Sequence, residues 1–246
     1  MFILPKKQMG LAETLKALFS SWLSLIITLL PLSFLCEGLK IIPAVMVSQD
    51  WISADQKSLV LSLLIIFSIL SVIPMGGLIA KINDAIHGKA LSNKTALHIG
   101  FVRLLKVIFV GIIFYLVMFL LGKLGSLLVP HLGNDATLIT ISIVIILLSP
   151  YVISTLPLII VDNKWPFDAI ASSVRQTKGH WAHCLVVMLV SIIVSVVINY
   201  LFALLLHVSE LSSGFWVYLG IIPTLITLPL GICMAVIVSE NLKLSK

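Results

Sequence analysis

The sequence predicts an all-α fold, a polytopic bundle of six transmembrane helices arranged as three hairpins, with amphipathic helices lying at the cytoplasmic interface. Three observations carry this expectation. Hydrophobic residues fill 60% of the 246 positions and charged residues 11%, and the mean hydropathy of +1.19 lies far outside the range of soluble domains. The apolar residues fall into six runs of about 20, the length that crosses about 30 Å of hydrocarbon. The basic residues, finally, collect in alternate loops. Six such spans leave no room for a sizeable soluble domain, so residues 1–246 are expected to form a single membrane domain whose function lies in the bundle or on its faces.

Lys6 and Lys7 open the chain, and Leu11, Leu15, Leu18 and Trp22 follow at spacings of four, three and four, predicting an amphipathic helix over 8–20. It flows into the first span, 18–36. That apolar run is too long for a cleaved signal peptide and lacks a small-x-small site before Glu37; bulky Leu35 before Cys36 argues against a lipoprotein cysteine. Residues 37–57 read as the first outer loop, with Pro43 as a break and Trp51 at the interface.

The second span, 58–80, holds Pro74 and the pair Gly76-Gly77. In the loop after it, Leu97, Phe101 and Leu105 form a second amphipathic stripe that Ser92 or Asn93 can cap. The third span is 104–121, residues 123–135 make a short outer loop, and the fourth span, 137–161, carries Pro150 and Pro157. The fifth span is 184–206, and the sixth, 215–238, carries Pro223 and Pro229. Each hairpin thus has an amphipathic segment before it and a proline in its returning helix (Pro74, Pro157, Pro229). A threefold repeat and convergence on one membrane problem both account for that pattern.

The stretch before the fifth span is the most informative. Phe167, Ile170, Ala171, Val174 and Trp181 recur at helical spacing, whereas Asp168, Arg175, Gln176 and Lys178 fall mostly elsewhere. Pro166 suits a first helical turn, Asp168 lies near the positive end of the dipole and Gly179 is a natural stop. A helix over 166–178 is too short and too charged to cross a bilayer. It is expected to lie in the headgroup plane with its apolar side down. Arg175 and Lys178, a turn apart and away from Phe167 and Ile170, are then placed to meet anionic headgroups, with Ser172 and Thr177 as added hydroxyl donors. The plainer reading pairs Arg175 with Asp162 or Asp168 and leaves it to orient the loop.

Thirteen of the sixteen Lys and Arg residues fall in the even-numbered loops and the termini; only Lys40, Lys57 and Lys123 fall on the other side. The positive-inside rule therefore places both termini in the cytoplasm. The net charge of +6 reflects this orientation and not nucleic-acid binding, because the basic residues are scattered over helix ends without exposed aromatics between them. The ten acidic residues divide evenly, as carboxylates contribute little to the rule.

Gly76-Gly77 followed by His87-Gly88-Lys89-Ala90-Leu91, then Pro157 with Val161-Asp162, and above all Ser172-Ser173-Val174-Arg175-Gln176-Thr177, resemble the YciC-like bacterial inner-membrane proteins. The layout is also similar to the membrane domain attached to some glycerophosphodiester phosphodiesterases. The resemblance covers most of the chain and implies a Gram-negative inner-membrane protein of six spans, in a family that supplies neither an established activity nor catalytic residues. The compact first outer loop departs from that pattern and speaks against a role needing an extended periplasmic segment.

Few residues are candidates for chemistry. His180, His183 and Cys184 could offer two imidazoles and a thiolate to a metal, but a fourth ligand would have to come from His87 or His98 in another loop, and amphipathic histidines at a helix start explain the cluster better. Cys36, Cys184 and Cys233 are far apart and form no disulfide framework. Hydrolase, metalloprotease and nucleotide-binding motifs are missing, as are charges at mid-depth in the spans, so neither catalysis, a cofactor nor a metal is expected. In the fifth span Ser191, Ser195 and Asn199 share a face, which reads as glue between helices before a substrate path. The expected role is non-enzymatic and organising, with lipid or envelope processes; the alternative is a transporter or flippase-like carrier of an uncharged or lipidic substrate through the proline-broken helices. The partners expected are membrane lipids, anionic headgroups first, with a membrane-protein partner or a second copy of the chain beside them.

Overall fold

The computed structural model describes residues 4–5, 7–48, 56–207 and 221–244. All described secondary structure is helical, and six stretches are long and apolar enough to cross a membrane. The chain is therefore an all-α polytopic bundle. Its helices are α1 (Leu11–Ser48), α2 (Lys57–Ile86), α3 (Asn93–Leu132), α4 (Asn134–Leu148), α5 (Thr155–Ile160), α6 (Pro166–Thr177), α7 (Trp181–His207) and α8 (Ile221–Lys243). A 3-10 turn, Ser149–Tyr151, lies between α4 and α5.

Several expected boundaries move, and for one reason. In hydrocarbon every backbone N–H and C=O needs a partner, so a helix runs on until something stops it. The amphipathic helix expected over 8–20 is continuous with the first span, and α1 carries both Pro31 and Pro43 within its 38 residues. Residues 37–48, expected as outer loop, are its last turns; Trp51 lies outside the described residues. The stripe of Leu97, Phe101 and Leu105 likewise merges with the third span into α3, whose 40 residues amount to about 60 Å at about 1.5 Å per residue. Ser92 caps α3 as expected, its hydroxyl accepting from the Thr95 N–H at 3.1 Å. The outer loop expected over 123–135 shrinks to Gly133, whose φ of +79° turns the chain directly into α4. The fourth span is in three pieces, interrupted where Pro150 withholds a backbone donor.

α1 packs along both α2 and α8, α3 lies against α2, and α7 against α8; α4 pairs with α3. Leu18, Leu29 and Leu32 of α1, Leu78, Ile82 and Ile86 of α2, and Leu230 and Ile237 of α8 are fully buried in the resulting core. Between apolar helices in lipid, close van der Waals packing replaces the hydrophobic effect as the cohesive term. The closest approach is between α2 and α3. A Cβ on Gly100 would lie 2.0 Å from the Ile73 carbonyl oxygen, one on Gly76 would lie 2.9 Å from the Gly100 Cα, and one on Gly77 would lie 3.1 Å from the Ala96 carbonyl. Ala96 and Gly100, one turn apart, thus offer the small-residue face that lets the two backbones meet.

Candidate functional site at the basic end

Residues far apart in sequence converge at the end of the bundle that carries most of the basic residues. The Leu4 N–H donates to the Ile86 carbonyl at 3.1 Å. The Asn241 side chain receives the Met9 N–H at 2.7 Å and donates to the Met9 carbonyl at 3.2 Å and to the Thr14 hydroxyl at 3.3 Å. Lys243 forms ion pairs with Asp162 at 2.8 Å and Glu240 at 2.6 Å, and His87 Nε2 lies 3.5 Å from the Glu240 carboxylate.

These contacts hold the turn that launches α6. Asn163, at φ +57°, takes the left-handed conformation that Asn tolerates best among residues with a side chain. Lys106 Nζ donates to its carbonyl at 2.9 Å and to its Oδ1 at 2.6 Å, while the same ammonium lies 5.1 Å from the Trp165 ring centroid. Pro166 then occupies the first helical position, where its missing N–H costs nothing.

α6 has two opposed faces. The inward face is small and polar: Ala169, Ser173, Gln176 and Thr177 are buried where α6 packs on α5, α8 and the 3-10 turn. The outward face carries Phe167, which is 67% exposed, with Ala171, Val174 and Arg175. Phe167 meets Phe109 of α3 edge-on at 5.6 Å. Ile170 and Val174 also line an apolar cavity of about 540 Å³ together with Phe114, Met118, Leu148 and Tyr151.

The four expected headgroup contacts are placed differently from one another. Arg175 is exposed and makes no ion pair among the described residues; Asp162, one of its expected partners, is taken by Lys243. Lys178 is exposed too, but it is the C-cap of α6, with ψ 118°, so its direction does not follow the helical wheel. Ser172 is half-buried and accepts from Lys164 Nζ at 3.0 Å. Thr177 faces inward, fully buried, its hydroxyl donating to the Pro150 carbonyl at 3.1 Å, so it fastens α6 and does not reach the surface.

On α7 two members of the polar stripe bond within their own helix. The Ser191 hydroxyl donates to the Val187 carbonyl at 2.8 Å and the Asn199 amide to the Ser195 carbonyl at 2.7 Å, both within the same helix. Their spacing of four places each side chain over the preceding turn, and the nearest free lone pair wins. The three residues line an open groove of about 550 Å³ between α7 and α8, with Gly231 and Met234 opposite. His180 lies near Gln8, Nδ1 to Nε2 at 3.4 Å, and Cys184 is fully buried. No group of three or more His, Cys, Asp or Glu side chains among the described residues is arranged to hold a metal ion.

Sequence reasoning missed Asn241, Lys106 and Lys243 as the residues that order this end. Lys106 and Lys243 carried only an orientation signal, and Asn241 lay beyond the expected sixth span. No family model, no curated protein and no solved structure matches the chain. The fold and its basic end define a multi-pass membrane protein with a short amphipathic helix docked by its polar side.

Proposed function

We propose that the chain is a non-enzymatic multi-pass protein of the bacterial inner membrane, with both termini cytoplasmic, whose basic end engages anionic lipid headgroups and so organises lipid or envelope processes there. The YciC-like resemblance agrees with this assignment. The observation that carries the reading is the two-faced docking of α6. The helix is fastened through its polar side, and its apolar stripe and the unpaired Arg175 face outward together. A guanidinium in that setting can grip a phosphate with two hydrogen bonds, and each cation at an anionic leaflet contributes about 1 kcal/mol. The apolar cavity beside Ile170 and Val174 offers room for part of an acyl chain next to that cation. The carrier reading draws instead on the open groove between α7 and α8; no charged side chain lines that groove to select a substrate.

The test is the double reversal Arg175→Glu with Lys178→Glu, purified in nanodiscs containing phosphatidylglycerol and phosphatidylcholine and examined by native mass spectrometry. Removal of two attractions of about 1 kcal/mol each lowers the occupancy of the phosphatidylglycerol held at α6 by about 30-fold or more. Reporters fused after Lys89 and Gly133 keep their sides, since most of the basic residues at this end remain. Unchanged retention refutes headgroup recognition by α6.

A further inference from the structure

We infer that a second pocket at this end, formed where α1 passes the C-terminal turns of α2, binds the phosphate of an anionic phospholipid through Lys81 and Lys89. This rests on the reading of the basic end as the face that meets anionic headgroups, but it uses none of the residues of α6. The pocket has a volume of about 420 Å³ and is lined by Ser24, Leu25 and Thr28 of α1, by Lys81, and by Lys89 and Leu91 of the turn after α2, among others. Two cations line it, and no carboxylate does.

Lys81 is the built element of the site. It is half-buried, and its ammonium donates to the Thr28 carbonyl at 2.8 Å and to Asn93 Oδ1. Both acceptors are neutral, so they fix the position of the charge without cancelling it, and the third N–H is left for a ligand. Lys89 is exposed and forms no ion pair among the described residues. The nearest acidic residue in sequence, Asp84, holds this turn through its backbone carbonyl, which accepts from the Lys89 N–H at 2.8 Å, and its carboxylate pairs with neither lysine. A pre-positioned ammonium, an exposed one lining the same pocket and no competing carboxylate make a site for a compact anion with several acceptor oxygens, which is a phosphate diester or a free phosphate. Two further features favour the lipid. Leu25, Leu91 and two alanines supply an apolar wall, and Lys81 lies in the last turns of a candidate span that ends at Ile86, where headgroups are found.

The experiment compares three variants of the full chain in the same phosphatidylglycerol and phosphatidylcholine nanodiscs: Lys81→Gln with Lys89→Gln, the Arg175→Glu with Lys178→Glu pair, and Lys81→Arg with Lys89→Arg. The glutamine pair loses one retained phosphatidylglycerol, with occupancy falling about 30-fold, the effect of two neutralised cations. The arginine pair keeps that lipid, which separates lost charge from lost folding. The α6 pair keeps it as well, so the two sites fail or stand separately. Full retention in the glutamine pair overturns the pocket while leaving α6 untouched. Displacement of the lipid by excess inorganic phosphate, added as the only competitor, overturns the lipid assignment in favour of a free anion.

Discussion

Gly100→Ala should destabilise the bundle more than any other glycine-to-alanine change in α3. The added Cβ would lie 2.0 Å from the Ile73 carbonyl oxygen and 3.0 Å from the Gly77 nitrogen. A carbon settles against a carbonyl oxygen at about 3.3 Å, so α2 and α3 must separate by about 1.3 Å along that line. Both obstacles are backbone atoms and cannot rotate aside. Separation also relaxes the close approach of Gly76 to Gly100 and of Gly77 to Ala96. Overpacking of this kind costs about 1–3 kcal/mol, and more where the backbone cannot yield. Gly111→Ala is the internal control. It lies in the same helix with nothing within 4 Å of the new Cβ, so the better helix propensity of alanine should stabilise by up to about 1 kcal/mol. The two variants should therefore differ by about 1–4 kcal/mol in thermal unfolding measured in mild detergent. Equal melting of Gly100→Ala and Gly111→Ala would refute the close-packing argument.

Asn241→Ala removes the acceptor of the Met9 N–H and the donor to the Met9 carbonyl and Thr14, and should cost about 1–3 kcal/mol because a buried donor is left unpaired; an undisturbed melt in the alanine variant would count against the clasp. Ser191→Ala and Asn199→Leu should both lie within about 0.5 kcal/mol of the parent, as their hydrogen bonds close on α7 itself. A marked loss in Asn199→Leu alone, read by the same melt, would place an interhelical partner there.

The six spans were legible because apolar runs of the right length have few other uses, and the start of α6 was legible because Pro166 and Gly179 punctuate it on either side. Helix ends were less so. Pro43 reads as a breaker in water, yet it lies inside α1, since a helix in or near lipid tolerates one lost hydrogen bond better than an exposed backbone. The Gly76-Gly77 pair was visible, but its partner Gly100, between Leu97 and Phe101 of the amphipathic stripe, carried no signal; only the crossing of α2 and α3 shows what the small residues are for. At the candidate site, the apolar part of the outward face of α6 followed from helical spacing, but Arg175, expected away from Phe167, shares that face. The inward face did not follow, because Ser173, Gln176 and Thr177 look like solvated polar residues until a partner surface is present. Lys81 and Lys89 were counted toward orientation, a rule that sums charges and is blind to which of them share a pocket.

The clasp between Asn241 and Met9, together with the Trp22 indole donating to the Ile226 carbonyl at 3.0 Å, has a consequence for how the protein is made. α1 is sealed by α8, which is made long after it. At about 5–20 residues per second, roughly 10–35 s pass between the emergence of the end of α1 and the start of α8. During that interval α1 lacks the packing of α8, and the Met9 amide lacks the Asn241 side chain that accepts its N–H. A chain arrested before α8 therefore keeps the Met9 amide without the Asn241 side chain that satisfies it in the folded bundle.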